Sequence, residues 1–328
     1  MLYAGVLALR RAGYAIGLVR VQRVGVPVIV IGNLYAGGTG KTPLTIELVK
    51  ALQTRGWRPG VVSRGYGTST RIARLVRAEA TAEDSGDEPL LIARAGGVPV
   101  AVGRRRVDAA KCLLRAHPDC DLIVADDGLQ HWQLGRDLEI ALQDERGLGN
   151  GWLLPAGPLR EPARRLARVD ALVLRDAGRS PPADGPPCFT LRTRLADTLR
   201  RLDDPAHTMP LADLVERQAA RALTITAAAG IAVPDRFFAL LRTAGLSFDP
   251  LPLPDHHDFR DGALTGLRTH LVLITEKDAV KCAGIEALRR DPRIWVAPLV
   301  AAVDEALFDL VEARLGPLRK ASHGSSTA

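Results

Sequence analysis

The residues with the clearest capacity for chemistry are a glycine-rich run, Gly37-Gly38-Thr39-Gly40-Lys41-Thr42, and a pair of acids, Asp126-Asp127. The run follows the β-branched stretch 26–31 and precedes a helical pattern over 42–54. That strand–loop–helix context is the one a phosphate loop requires. Glycines let backbone N–H groups close around an anion, and the helix N-terminus adds a favourable dipole. Lys41 supplies a point charge for the β- and γ-phosphates, and the Thr42 hydroxyl can reach Mg²⁺. Gly37, Gly38, Thr39, Gly40, Lys41 and Thr42 are therefore candidate nucleotide-binding residues. The usual first glycine of this motif falls at position 35, which is Tyr. The apolar strand 122–125 ends in Asp126-Asp127, and acids at the C-terminal end of a parallel strand face the crevice where ligands bind. With Thr42 they are candidate metal ligands, although two acids before Gly128 also suit the start of a turn.

These groups need a scaffold that brings strand ends together. Strand-like runs at 60–63, 98–102, 122–125 and 138–142 alternate with helical patterns at 90–95 and 105–116, which implies parallel βαβ units. A Pro- and Gly-rich break spans 177–187. Beyond it, strand-like runs at 222–228, 271–275 and 293–300 flank a helical pattern at 234–243. The fold class is α/β: a P-loop NTPase-like parallel-sheet domain, a second, smaller α/β domain and an N-terminal amphipathic helix. The expected boundaries are a helix over 1–25, the P-loop domain over 26–180, a linker over 181–220 and the smaller domain over 221–328. The last helix is able to pack back on the first domain, and 324–328 reads as a frayed tail.

Composition narrows the class. A chain of 328 residues, 47% hydrophobic and 25% charged, is neither a disordered tail nor a collagen-like repeat. The length suits two cores. Cys112, Cys120, Cys188 and Cys282 form no CxxC pair, which points to a reducing compartment. The net charge is +7, and only 6 of the 44 basic residues are Lys, so a bias toward Arg competes with an anionic partner as its cause. Residues 1–25 hold four arginines and no acid, with Leu2, Val6, Leu9, Ile16 and Val19 on a helical stripe. Arg10 and Arg11 interrupt any membrane-spanning run, and positive charge after the apolar stretch does not suit a secretory signal. Two readings stand for this segment: a helix packed on its own domain, or a basic helix on an anionic membrane surface, where each Arg adds about 1 kcal/mol.

Several unusual segments occur in one order between Val26 and Leu299. They include Val30-Ile31-Gly32-Asn33, the phosphate loop with Pro43, Ser-Arg-Gly-Tyr-Gly (63–67), Gly-Asp-Glu-Pro (86–89), Asp-Asp-Gly-Leu-Gln-His (126–131) and Leu-Leu-Pro-Ala-Gly-Pro-Leu-Arg-Glu-Pro (153–162). Arg236-Phe237-Phe238, Pro254-Asp255-His256 and Thr-Glu-Lys-Asp-Ala-Val-Lys (275–281) complete the set. Together these strongly resemble the tetraacyldisaccharide 4'-kinase family, the lipid A 4'-kinases of Gram-negative bacteria. In that family too the phosphate loop lacks its first glycine, which accounts for Tyr35.

The resemblance implies ATP and Mg²⁺ as cofactors and transfer of the γ-phosphate to the 4'-hydroxyl of a tetraacylated glucosamine disaccharide 1-phosphate, giving lipid IVA. It implies a peripheral protein at the cytoplasmic face of the inner membrane, with the site in a cleft between two α/β domains. The N-terminal helix contributes to attachment to that anionic surface, and neither nucleic acid nor an obligate protein partner is expected. By the same resemblance Asp87 is the catalytic aspartate and His256 its partner in a dyad. Glu161 stands near the metal with Asp126 and Asp127, and Arg160 adds charge to the phosphoryl oxygens. Tyr66 and His131 flank nucleotide and acceptor. Arg106, within the triplet 104–106, meets the acceptor's 1-phosphate or a headgroup, or only begins a helix.

Read without the resemblance, Asp87 is a solvated acid in an acidic loop, His256 begins a turn beside Asp255, and chemistry alone does not exclude His257. Lys277 and Asp278 then only structure a strand end. The dyad makes a demand on the fold: two residues 169 positions apart must meet within hydrogen-bond reach. A deviant P-loop switch or partitioning ATPase is the alternative. That class carries a signature Lys where this chain has Ala36, which counts against it. No aromatic-rich strand, helix-turn-helix or basic cluster supports nucleic-acid binding.

Overall fold

The computed structural model describes residues 2–65, 72–77, 79–175, 185–221 and 223–324. Tyr66, the tail 325–328 and most of the break at 177–187 lie outside the described residues. The chain opens with α1 (Leu2–Ala15), then β1 (Val28–Gly32), α2 (Lys41–Thr54), β2 (Pro59–Ser63), β3 (Arg74–Leu75), α3 (Ala82–Ser85) and α4 (Asp87–Gly96). It continues through β4 (Val100–Val102), α5 (Arg106–Ala116), β5 (Leu122–Ala125), β6 (Leu138–Gln143), β7 (Ala171–Arg175) and β8 (Cys188–Leu195). A second set follows: β9 (Thr198–Arg201), β10 (Thr208–Pro210), α6 (Leu211–Arg221), β11 (Ile225–Ala229), α7 (Pro234–Thr243), β12 (Asp249–Pro252), β13 (Leu271–Ile274), α8 (Glu276–Cys282), α9 (Glu286–Arg289) and β14 (Ile294–Val296). Finally β15 (Leu299–Val303) and α10 (Glu305–Gly324) return to the first set.

Two sheets result. The larger has nine strands in the order β15-β8-β7-β6-β1-β5-β2-β4-β3, and the smaller has six in the order β10-β9-β14-β13-β11-β12. In the larger sheet β1 lies between β6 and β5 and is parallel to both. Strand order reverses there, and such a switch point opens a crevice beyond the strands' carboxyl ends. The β-branched run Val28-Ile29-Val30-Ile31 is buried on both faces, as a central parallel strand must be. One face is covered by α2, α4 and α10 through Leu44, Leu48, Leu52, Ile92, Phe308 and Leu315. Each such side chain contributes about 1.5–3 kcal/mol by burial. The other face is covered by α5 and the segments around Leu129 and Leu159.

The expected linker over 181–220 is a correction. Residues 188–195 form a strand of the larger sheet, with Phe189, Leu191 and Leu195 buried between more exposed Thr and Arg positions. Thr193, on the inward side with Phe189, Leu191 and Leu195, interrupts that period-2 pattern, and the strand follows directly on the Pro- and Gly-rich break. Residues 198–201 and 208–221 already belong to the smaller unit. The last helix does pack on the first unit, through Leu307, Phe308, Val311 and Leu315.

The N-terminal helix packs on its own unit through part of its surface. Tyr3 donates its hydroxyl to Arg160 C=O at 2.8 Å, Arg10 donates to Gln130 C=O at 3.1 Å, and Arg10 and Arg11 lie over the Trp132 ring. Leu7 is buried. Val6, Leu9, Ile16, Leu18 and Val21 are nevertheless all exposed, and Leu18 retains 80% of its surface. Among the described residues no helix is long and apolar enough to cross a membrane.

Candidate active site

The phosphate loop runs from the end of β1 to the first turn of α2. Gly40 takes φ 97°, a conformation that side chains rarely adopt, and a Cβ there would meet Arg175 at 2.6 Å. A Cβ on Gly38 would stand 2.8 Å from Ala232 Cβ of the second unit. The loop is thus shaped from both sides of the cleft. Buried Asn33 donates to Tyr35 C=O at 2.6 Å and accepts from Lys41 Nζ at 3.2 Å, which fixes the loop's entry and its lysine together. Arg146 donates to Gly38 C=O at 2.7 Å while its guanidinium lies 4.3 Å from the Tyr35 ring centroid. Tyr35 therefore gives the loop a packed cation–π support in place of a glycine's freedom. The Thr39 hydroxyl is buried without a hydrogen-bond partner among the described residues, an orphan polar atom inside a loop built for an oxygen-rich ligand.

The two strand-end acids divide. Asp126 is buried and accepts from Thr45 Oγ1 at 3.3 Å and Ser63 Oγ at 3.2 Å. Burial, then Glu88 and Asp127, hold its carboxyl well above the usual range. Asp127 takes φ 47° and turns to the cleft, 3.4 Å from Lys41 Nζ and 3.0 Å from Arg160 Nη1. Burial alone would raise its carboxyl, yet Lys41 and Arg160 pull it down to about 2. Lys41, Thr42, Glu88, Ile231, Arg236 and Lys277 are among the residues lining a cavity of about 220 Å³ between the loop and the second unit.

Asp87 and His256 meet. His256 Nδ1 lies 2.9 Å from Asp87 Oδ2, across 169 residues of chain. The local sequence explains both positions. A capping box of Thr81 and Asp84 starts α3, and Gly86 at φ 89° ends it, so Asp87 falls on the first turn of α4. A carboxylate there is favoured by the helix dipole, and Asp87 Oδ1 also accepts the Glu88 N–H at 2.9 Å. Asp87 is 5% exposed. Burial would raise it, but His256 and Lys277 hold it below the ordinary carboxylate range. The same hydrogen bond raises the His256 imidazole. His256 takes φ 61°; of the three non-glycine residues at positive φ among those described, two are His256 and Asp127. Such positions cluster at functional sites. His257 is committed elsewhere, with Nε2 3.1 Å from Asp261 and Nδ1 accepting the Phe259 N–H.

The remaining expected residues are placed as follows. Glu161 is fully buried and turned toward Gln130, which donates to it at 3.0 Å, and Arg165 at 3.7 Å. Its Oε2 has no hydrogen-bond partner, and burial raises its carboxyl. Gln130 also donates to Asn33 C=O, so Glu161 stands behind the loop's entry. Arg106 is 2% exposed and donates to Gly103 C=O at 3.0 Å and Asp126 C=O at 3.2 Å. Burial lowers it to about 10, and it braces the end of β5 from inside rather than presenting charge at the surface. His131 is pushed down to about 3 by burial and by Arg106, so its ring is neutral.

All of these positions lie within residues 1–316, which match the family model of tetraacyldisaccharide-1-P 4'-kinase. The chain belongs to that family. A tetraacyldisaccharide 4'-kinase of Janthinobacterium sp. (strain Marseille) is 49% identical over 314 residues, covering 95% of this chain and 89% of the relative. That of Herminiimonas arsenicoxydans is 50% identical over 324 residues, covering 95% and 88%. A solved structure of LpxK from Aquifex aeolicus, an "apo" form in complex with ATP, matches with TM-score 0.78 and 28% identity over 96% of each chain. In this tetraacyldisaccharide 4'-kinase family member, the residues that sequence reasoning missed are those joined only by tertiary structure. Buried Asp144, at the end of β6, binds Arg146 and also Arg236 of α7, both at 2.6 Å. Arg175 reaches toward Thr39 C=O. Tyr35, a bulky residue where the phosphate-loop motif has glycine, was a signal for Arg146, and Arg236 stands in the run Arg236-Phe237-Phe238 with no role attached to it there.

Proposed function

We propose that this chain is an ATP-dependent lipid kinase that transfers the γ-phosphate to the 4'-hydroxyl of tetraacyldisaccharide 1-phosphate, forming lipid IVA. The observation that carries the reading is the 2.9 Å contact of His256 with Asp87 beside a phosphate-loop cavity, in a member of this family. Loop N–H groups and Lys41 hold the nucleotide phosphates. The donors near them, the Thr42 hydroxyl and the Asp126 and Asp127 carboxylates, are hard oxygens of the kind Mg²⁺ takes. Among the described residues no group of three His, Cys, Asp or Glu could hold a metal unaided. Bound Mg²⁺ supplies charge neutralisation at the phosphates. Glu161, held by Gln130 and Arg165, supports that region from behind the loop.

Arg160 and Lys41, now paired with Asp127, are the cations placed to meet charge on the phosphoryl oxygens. His256 orients Asp87, and the pair accepts the hydroxyl proton. His131 donates or accepts as a neutral ring near the acceptor. The protein works at the cytoplasmic face of the inner membrane, docked by the exposed apolar residues and arginines of its first 21 residues. Protein in detergent with ATP, Mg²⁺ and the lipid disaccharide 1-phosphate will move radiolabel to the acceptor. Label that stays in ATP overturns the reading. Replacing Val6, Leu9 and Ile16 by Ser will weaken flotation with anionic vesicles while leaving ATP binding intact. Unchanged flotation removes the helix from the membrane.

A further inference from the structure

Lys277 is a basic residue in the first turn of α8, where the helix dipole disfavours a cation. Its side chain is nevertheless only 16% exposed, held by three acids. Nζ lies 3.1 Å from Glu88 Oε1, 3.4 Å from Asp255 Oδ1 and 3.8 Å from Asp87 Oδ2. Glu88 and Asp87 come from α4 of the first unit, and Asp255 comes from the turn that carries His256. The other lysine of this helix differs: Lys281 binds Asp278 at 2.9 Å and Gly230 C=O at 3.2 Å, both in its own unit. Lys277 also lines the nucleotide cavity with Lys41, while Asp87 and His256 line the adjoining one. One ammonium thus stands at the wall between nucleotide and dyad and joins both sides of the cleft.

We propose that Lys277 is a positioning residue for proton abstraction, tying Asp87 and Glu88 to Asp255 and so fixing the Asp87–His256 pair at the edge of the nucleotide cavity. The proposal rests on the kinase reading above for its consequence, but not for its geometry. Without this ammonium, buried Asp87 and the more exposed Glu88 and Asp255 stand together without their shared cation, and their repulsion favours an open cleft or a protonated pair. The groups facing the pair are Glu83, Asp87 and Glu88 on the first wall, with Asp255, Asp258, Arg260, Lys277 and Lys281 on the second. Loss of the Lys277 charge removes a cation 3.8 Å from Asp87 Oδ2, so both the Asp87 and His256 protons are held more tightly.

Two readouts test this on the full-length protein. The first is the NMR titration of the His256 ring in Lys277→Met, Lys277→Arg and wild type. The midpoint will move to higher pH by roughly half a unit or more in Lys277→Met, and Lys277→Arg will restore most of it. An unmoved midpoint in folded Lys277→Met overturns the proposal whether or not the wild type phosphorylates lipid. The second is turnover: Lys277→Met will lower kcat on the order of 10²-fold, leave KM for ATP within a few-fold, and carry the acid limb of kcat upward in pH. Equal losses in Met and Arg variants, with the acid limb unmoved and a lower Tm, mean a merely structural lysine and overturn it.

Discussion

The two sides of the cleft are built by different means. On the nucleotide side, Asn33, the loop 37–42 and Asp126-Asp127 sit at the carboxyl ends of two adjacent parallel strands, β1 and β5, of one sheet. Short stretches of chain and a switch in strand order suffice to gather them. On the dyad side, Asp87 begins a helix of one unit and His256 a turn of the other, with Lys277 between. That side exists only when the units are together. A site assembled this way gathers its phosphate loop on one unit and takes the histidine of its proton-accepting pair from the other, which couples chemistry to the relation of the two units.

Substitutions should separate the two sides. Asp87→Ala will lose on the order of 10²–10⁴ in kcat with nucleotide affinity unchanged. Lys41→Ala will lose on the order of 10²–10³, and unlike Asp87→Ala it will weaken nucleotide binding too, which calorimetry with ATP and Mg²⁺ reads directly. If both variants weaken ATP equally, the cleft is one undivided site. The smallest effect is on stability. The folded imidazole of His256 is raised by its hydrogen bond to Asp87. Its contribution is therefore fully present below the unfolded value, about 6.5, and is lost as pH rises through the folded one. The Tm difference between wild type and His256→Ala should shrink from pH 6 toward pH 9, and a constant difference removes the charged contact.

The same contrast explains what could be read from the chain. The phosphate loop, β1 and the strand-end acids were legible because their chemistry is local: glycines for a strained turn, β-branched residues for a buried strand, acids at its end. Helix α7 was legible from its period at 234–243, the span it occupies. Strand β8 was hidden because it follows directly on the Pro- and Gly-rich break and carries Thr193 on its inward side. The Asp87–His256 pairing came only from family resemblance, since nothing local tells a buried Asp from a solvated one in an acidic loop. Arg106 misled in the opposite sense. An Arg triplet suggests a surface cation, yet two carbonyls, Gly103 and Asp126, hold this one inside.

The return of β15 to the larger sheet has a consequence of its own. Leu195 at the end of β8 stands in register with Leu299 at the start of β15, and Ala196 N–H donates to Pro298 C=O at 2.8 Å. The chain therefore leaves for the second unit and comes back through neighbouring doors, making that unit an insertion in a hairpin of the first. Its two ends are close enough to be joined to each other, and the host strands could be closed over them by a short turn. The molecule is in this sense a modular device: the strands that carry the phosphate loop belong to the host, and the guest delivers His256, Lys277 and the far side of the nucleotide cavity on a two-strand tether.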